Sequence, residues 1–126
     1  MLYAPIECRL TIEELHERCA EWQKILRLQD WTIHLEIIPS TDIDGSRCRC
    51  YITPELAHAT IRLSHPDSLD VSIEPYDMEQ GLVHELCHVS TENVGGPEEI
   101  THEQERGIEL ISRALVGLKR AAGGIK

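Results

Sequence analysis

Met78-Glu79-Gln80-Gly81-Leu82-Val83-His84-Glu85-Leu86-Cys87-His88-Val89 is the stretch on which the reading of this chain turns. Met78, Leu82, Leu86 and Val89 recur at steps of three and four, the spacing of one apolar stripe on an α-helix. Pro75 suits the first turn of that helix, where the N–H that proline lacks has no partner anyway. Asn93-Val94-Gly95-Gly96-Pro97 stops it, with glycine for a left-handed cap and proline beyond. At about 100° per residue, His84 and His88 stand roughly 40° apart, one turn above the other and off the apolar stripe.

Working outward, the downstream chain reads as a last helix from about Pro97 to Ala121. Ile108, Ile111, Leu115 and Leu118 are its expected core stripe, and Gly123-Gly124 frays its end. Upstream, Thr11-Ile12-Glu13-Glu14 is a capping box, with Leu10 and Leu15 placed as a hydrophobic staple. Ile12, Leu15, Cys19, Trp22 and Leu26 continue it as one apolar stripe, and that helix should end near Leu28. Trp31 to Ile37 alternates apolar and polar residues, as a half-buried strand does. Pro39 to Gly45 is a loop, a second strand spans Arg47 to Ile52, and Thr53-Pro54-Glu55 turns the chain. Ala59, Ile61 and Leu63 then alternate with His58, Thr60 and Arg62 as a third strand, ended by His65-Pro66-Asp67. The expectation is an α+β fold in one domain over residues 1–126: a helix, a small three-stranded and mostly antiparallel sheet, then two helices.

Composition bounds what such a domain does. The chain has 126 residues, with 12 Lys+Arg against 22 Asp+Glu and a formal net charge of −10. That balance argues against nucleic acid, which needs a basic surface to neutralise phosphates, and against an anionic membrane surface. With 41% hydrophobic residues it can bury a core. That core must be aliphatic, because Phe is absent and there are two Trp and three Tyr. No run of about 18 apolar residues suggests a transmembrane helix, and no basic-then-apolar leader is visible, so the expected location is cytoplasmic. The five cysteines are odd in number and not spaced as a secreted disulfide framework. Cys19 and Cys87 fall in helices, and Cys48 and Cys50 share one sheet face, so these read as reduced core residues, the alternative for Cys48 and Cys50 being a Cys-x-Cys metal or redox pair.

The chemistry lies in His84-Glu85-Leu86-Cys87-His88, an H-E-x-x-H motif. Two imidazoles one helical turn apart can both reach a single zinc ion, and Glu85 beside them can accept a proton from a water there. A catalytic zinc usually takes three protein ligands. The longer motif with a glycine and a third histidine farther on is absent, because Thr91 and Val94 stand at those positions. The candidates beyond Gly96 are Glu98, Glu99, His102, Glu103, Glu105 and Glu109. On the helix wheel Glu105 borders the expected core stripe, Glu109 lies about 40° farther from it, and Glu99 and Glu103 are on the wrong side. Glu105 is therefore the expected third ligand. Glu109 is the second choice, or a partner orienting a liganding histidine, or simply an ion-pair partner of Arg113. His102, one turn before Glu105, is the other alternative. Gly81 lies one turn before His84, where a close approach would explain a glycine that costs a helix about 1 kcal/mol. Asp77 reads as a partner of the helix dipole. His34, His58 and Arg62 fall on polar strand faces, and His16 on the exposed side of the first helix.

Helix, small sheet, H-E-x-x-H helix and a Glu-bearing helix together resemble the gluzincin metallopeptidases reduced to a minimum. The closest likeness is to the small minigluzincins of phage and prophage type. It is carried by Leu28-Gln29-Asp30-Trp31-Thr32-Ile33, by His84 to His88, and by Glu105 to Leu115. The chain is also similar, more distantly, to metallopeptidase domains of the ImmA/IrrE type. The resemblance implies a zincin-like fold, zinc at His84, His88 and a glutamate of the last helix, and Glu85 as general base. It implies a peptide or unfolded-protein substrate lying extended along an edge strand, for which Ala57 to Ser64 is the candidate. The oxyanion-stabilising His or Tyr of larger gluzincins is missing. The alternative to a peptidase is a non-catalytic, zinc-containing binding or regulatory module of phage or prophage origin.

Overall fold

The computed structural model describes residues 2–69, 74–91 and 102–123. The expected stop at Asn93 to Pro97, the first residues of the last helix, Glu98, Glu99 and Gly124 lie outside them.

The first helix, α1 (Ile12–Ile25), begins where its capping box requires. Glu14 N donates to Thr11 Oγ1 at 3.1 Å, and Thr11 N donates to the Glu14 carboxylate at 2.9 Å. Two backbone donors that the first turn leaves orphaned are thus satisfied reciprocally. Leu10 and Leu15 are both buried, as are Cys19 and Trp22. The helix stops short of Leu28 because Arg27 takes a left-handed conformation, at φ 62°.

Three strands follow: β1 (Thr32–Ile38), β2 (Cys48–Thr53) and β3 (His58–Ser64). Their order is β1-β3-β2. β3 pairs with β2 in antiparallel fashion, Cys48 opposite Leu63 and Thr53 opposite His58. It pairs with β1 in parallel, Thr32 opposite His58 and Ile38 opposite Ser64. The sheet is therefore mixed rather than mostly antiparallel, and Ala57 to Ser64 is not an edge. The reason lies in the side chains. Ala59, Ile61 and Leu63 are each 0% exposed, so β3 carries the most completely buried row and takes the centre. Cys48, Cys50 and Ile52 alternate inward from exposed Arg49, Tyr51 and Thr53, which leaves β2 at an edge.

The second helix, α2 (Met78–Thr91), starts after Pro75 rather than around it. Asp77 caps it, its Oδ1 accepting from Gln80 N at 3.2 Å. Helix α2 touches the sheet, α1 and the last helix, α3 (His102–Gly123), and so is buried nearly all round. Leu82, Val83 and Leu86 sit at the centre of the core with Leu15, Trp22, Ile61 and Leu63. No described helix is long and apolar enough to cross a membrane. All five cysteines are free thiols, Cys19 and Cys87 buried and the rest partly so.

Helix α3 is rotated from expectation. Ile108 and Leu115 do face the core, but Ile111 and Leu118 are more than half exposed. The face against α2 carries Ser112 and Val116 instead, both 0% exposed. Ion pairs at the far end fix this rotation. Arg120 grips buried Asp77 with two bonds of 2.7 and 3.0 Å, and Lys119 reaches buried Glu79 at 2.7 Å. Trp22 Nε1 donates to the same Glu79 carboxylate, at 2.8 Å. Two buried carboxylates at the start of α2 demand partners, and α3 turns to present its cations to them.

Candidate metal centre

His84 and His88 leave α2 on the side facing α3, with ring centroids 5.0 Å apart. Glu105, on the first full turn of α3, lies between them. Its Oε2 is 2.7 Å from His84 Nε2 and its Oε1 is 3.1 Å from His88 Nε2. One donor atom from each of the three residues lies within 4.8 Å of the others. Ligands around a tetrahedral zinc at about 2.0–2.1 Å are separated by roughly 3.4 Å, so small adjustments bring two imidazoles and a carboxylate onto one ion. These residues form a group that can hold a metal.

The surroundings of the group favour that use. His84 Nδ1 is bound to Glu109 Oε1 at 2.8 Å, which leaves Nε2 as the nitrogen directed at Glu105. A carboxylate on the far nitrogen fixes ring orientation and raises ligand basicity. Glu109 is itself held by Arg113 Nε at 2.6 Å and by Gln80 Nε2 at 3.1 Å. Arg113 also binds Glu74 at 2.7 Å, and Gln80 donates to Ser112 Oγ at 2.9 Å. Glu109 therefore serves both of its anticipated lesser roles, partner of His84 and ion-pair partner of Arg113. His102 is exposed at the start of α3 and stands outside the His84–His88–Glu105 group.

Charge follows from this packing. The hydrogen bond with His84, reinforced by Arg113 and Gln80 against the effect of burial, holds the Glu109 carboxyl down at about 2. Burial disfavours the charged imidazole of His84, but Glu109, Glu85 and Glu105 outweigh it and the group ends above its usual value. Glu85 behaves oppositely. It is buried, and desolvation lifts its carboxyl to about 7, with His84 opposing the rise and Glu105 adding to it.

Glu85, His84 and Glu105 open into a cleft of about 370 Å³ whose other walls include Cys48 and Tyr76. Cys48 brings β2 down onto α2 at Gly81. A Cβ on that glycine would collide with Cys48 Sγ, which is the close approach anticipated at this position. The Tyr76 hydroxyl donates to Ser64 O at 2.9 Å and is held among buried groups. His34, His58 and Arg62 do not line the cleft. Glu36 pairs with both His34 and Arg62 on the sheet, at 3.1 and 2.7 Å. His16 is exposed on α1, as expected.

Sequence reasoning missed Gln80 and the Glu74–Arg113 pair. Gln80 was open to discovery, since it precedes His84 by four residues and so lies on the same helix face. Glu74 was not, because nothing local ties a residue ahead of α2 to the middle of α3. Comparison of the chain with protein-family models, with curated proteins and with solved structures gives no match.

Proposed function

We propose that this chain is a zinc-dependent peptidase acting on extended peptide or unfolded protein. The observation that supports this reading is the convergence of His84 Nε2 and His88 Nε2 on the Glu105 carboxylate, with Glu109 on the remaining nitrogen of His84. Two nitrogens and one carboxylate oxygen suit zinc and leave a position open. Zinc held there supplies Lewis acidity that polarises a carbonyl and acidifies a water.

The chain's own residues do the rest. Glu85 is a buried carboxylate beside His84 that opens into the cleft, placed to accept a proton from water and return it to a leaving amine. Glu109 holds His84 in one orientation. Substrate would add along the outer edge of β2, the edge strand whose entry residues Ser46 to Cys48 line the cleft, in place of central β3.

The test compares wild type with Glu85→Gln on casein or another unfolded protein, with zinc content measured on both. The expected result is retained zinc, near one ion per chain, and cleavage reduced by at least about 100-fold. Full activity in the variant would overturn the mechanism. Zinc bound at full stoichiometry without cleavage in wild type would favour the non-catalytic binding module.

A further inference from the structure

The segment ahead of α1 is tied to the later helices at two points. Cys8 lies against the start of α2, its N–H donating to Tyr76 O at 3.1 Å while its carbonyl accepts from Met78 N at 3.0 Å. Leu2 lies against Gly117 of α3, where a Cβ would meet the Leu2 carbonyl oxygen at 3.0 Å. Between these ties Tyr3 is buried, and its hydroxyl donates to Asp77 Oδ2 at 3.0 Å. The next four residues, Ala4 to Glu7, are exposed.

What the Tyr3 ring meets is Arg113, whose guanidinium carbon stands over it, 5.2 Å from the ring centroid. That is a cation–π distance. The same guanidinium donates to Glu109 at 2.6 Å and to Glu74 at 2.7 Å, and Glu109 is bonded to His84 Nδ1 at 2.8 Å. An Arg–Glu pair four residues apart on a helix surface is weak by itself and exchanges among rotamers. Here the cation is enclosed. Glu109 holds it from α3, Glu74 from the segment ahead of α2, and Tyr3 offers its ring as a third side. Glu74 is itself fixed, since its backbone carbonyl accepts from Arg47 at 2.6 Å. A flat guanidinium can take a ring face and two carboxylates together, as an ammonium cannot. Gly117, one turn beyond Arg113 and buried, leaves room for the segment that carries the ring.

We infer that Tyr3 is a positioning residue of the metal centre: its ring holds the Arg113 guanidinium where it fixes Glu109, and Glu109 in turn fixes His84. The inference rests on the reading of His84, His88 and Glu105 as a metal site, and not on peptidase activity. Tyr3 does not line the cleft, so its effect on the metal passes through two other side chains. Loss of one cation–ring contact corresponds to a fall in zinc affinity of about three- to tenfold.

Chelator competition on the full chain, with unfolding midpoints measured beside it, tests this. Tyr3→Phe loses the bond to Asp77 but keeps the ring, so it should lower stability while zinc affinity stays within about twofold of wild type. Tyr3→Leu loses the ring and should weaken zinc about three- to tenfold. Tyr3→Met, flexible enough to refill the space, is the second such variant should the leucine not fold. In an Arg113→Met background the guanidinium is gone, so Tyr3→Leu should lower stability again but change zinc affinity no further. In metal-free protein, exchange of the Arg113 Nε proton with water, followed by NMR, should be faster in Tyr3→Leu than in Tyr3→Phe. Zinc bound equally by wild type and Tyr3→Leu, an equal loss in Tyr3→Phe, or the same loss with and without Arg113 would each overturn the inference alone. Equal proton exchange in the two variants would do the same. Wild type that binds no zinc would overturn the metal reading, and this inference with it.

Discussion

Gly81→Ala should destabilise the protein in one background and stabilise it in another. A methyl group at Gly81 overlaps Cys48 Sγ, a sulfur that β2 carries beside Tyr76. Overpacking of this kind costs about 1–3 kcal/mol. Against it stands the helical preference of alanine over glycine, about 1 kcal/mol. The net effect in the natural sequence is a loss of up to about 2 kcal/mol by these figures. In a Cys48→Ala background the sulfur is gone and only the helical term remains, so the same substitution should gain about 1 kcal/mol. Urea unfolding followed by the fluorescence of buried Trp22 measures all four proteins, with stability taken from midpoints at constant slope. A coupling of about 1–3 kcal/mol is expected, well outside the roughly 0.3–0.5 kcal/mol scatter of independent sites. Equal effects of Gly81→Ala in both backgrounds would refute the contact as the reason for the glycine.

Other expectations follow from the same contacts. Glu109→Gln keeps the shape of the side chain but removes the charge that orients His84. Zinc affinity, measured by chelator competition, should fall about 10–100-fold, and an unchanged affinity would mean that the bond does not orient the ring. Burial alone would raise the Glu79 carboxyl, but Lys119, the Trp22 N–H and Arg120 outweigh it and hold it below its usual value. A carboxyl lowered by folding adds stability above its unfolded value near 4.3 and loses that contribution as pH falls through the folded value. The stability advantage of wild type over Glu79→Gln, read from denaturant midpoints, should therefore shrink as pH falls below about 5, and a constant difference would contradict it.

How much of this was legible depended on whether the deciding partner was near in sequence. The start of α1 was, because Thr11 and Glu14 specify each other across one turn. So were the alternation of the strands and the pairing of His84 with His88. The sheet order was not. β1 reaches β3 past an intervening strand, and their parallel pairing joins residues about 26 apart in sequence, such as Thr32 and His58. The orientation of α3 failed for a different reason. Counting apolar residues placed Ile111 and Leu118 inside, whereas Arg120 and Lys119 reach buried Asp77 and Glu79. Glu105 was still the right member of its helix to meet the histidines, because it lies on the side that both rotations share. That Glu74 joins the site's network through Arg113 could be known only once the segment ahead of α2 was packed against α3.

The anchoring of α3 at Asp77 and Glu79 also sets a mechanical limit. Arg120 and Glu105 are fifteen residues apart, roughly 22 Å along the helix at 1.5 Å per residue. The helix is thus a lever pivoted at its ionic end and read out at its carboxylate end. A tilt of about 5° at the pivot carries Glu105 through roughly 2 Å, some ten times the tolerance of about 0.2 Å that a metal–ligand distance allows. The Gln80–Ser112 and His84–Glu109 bonds lie along the arm and stiffen it. Residues that never approach the histidines therefore help decide whether Glu105 meets them.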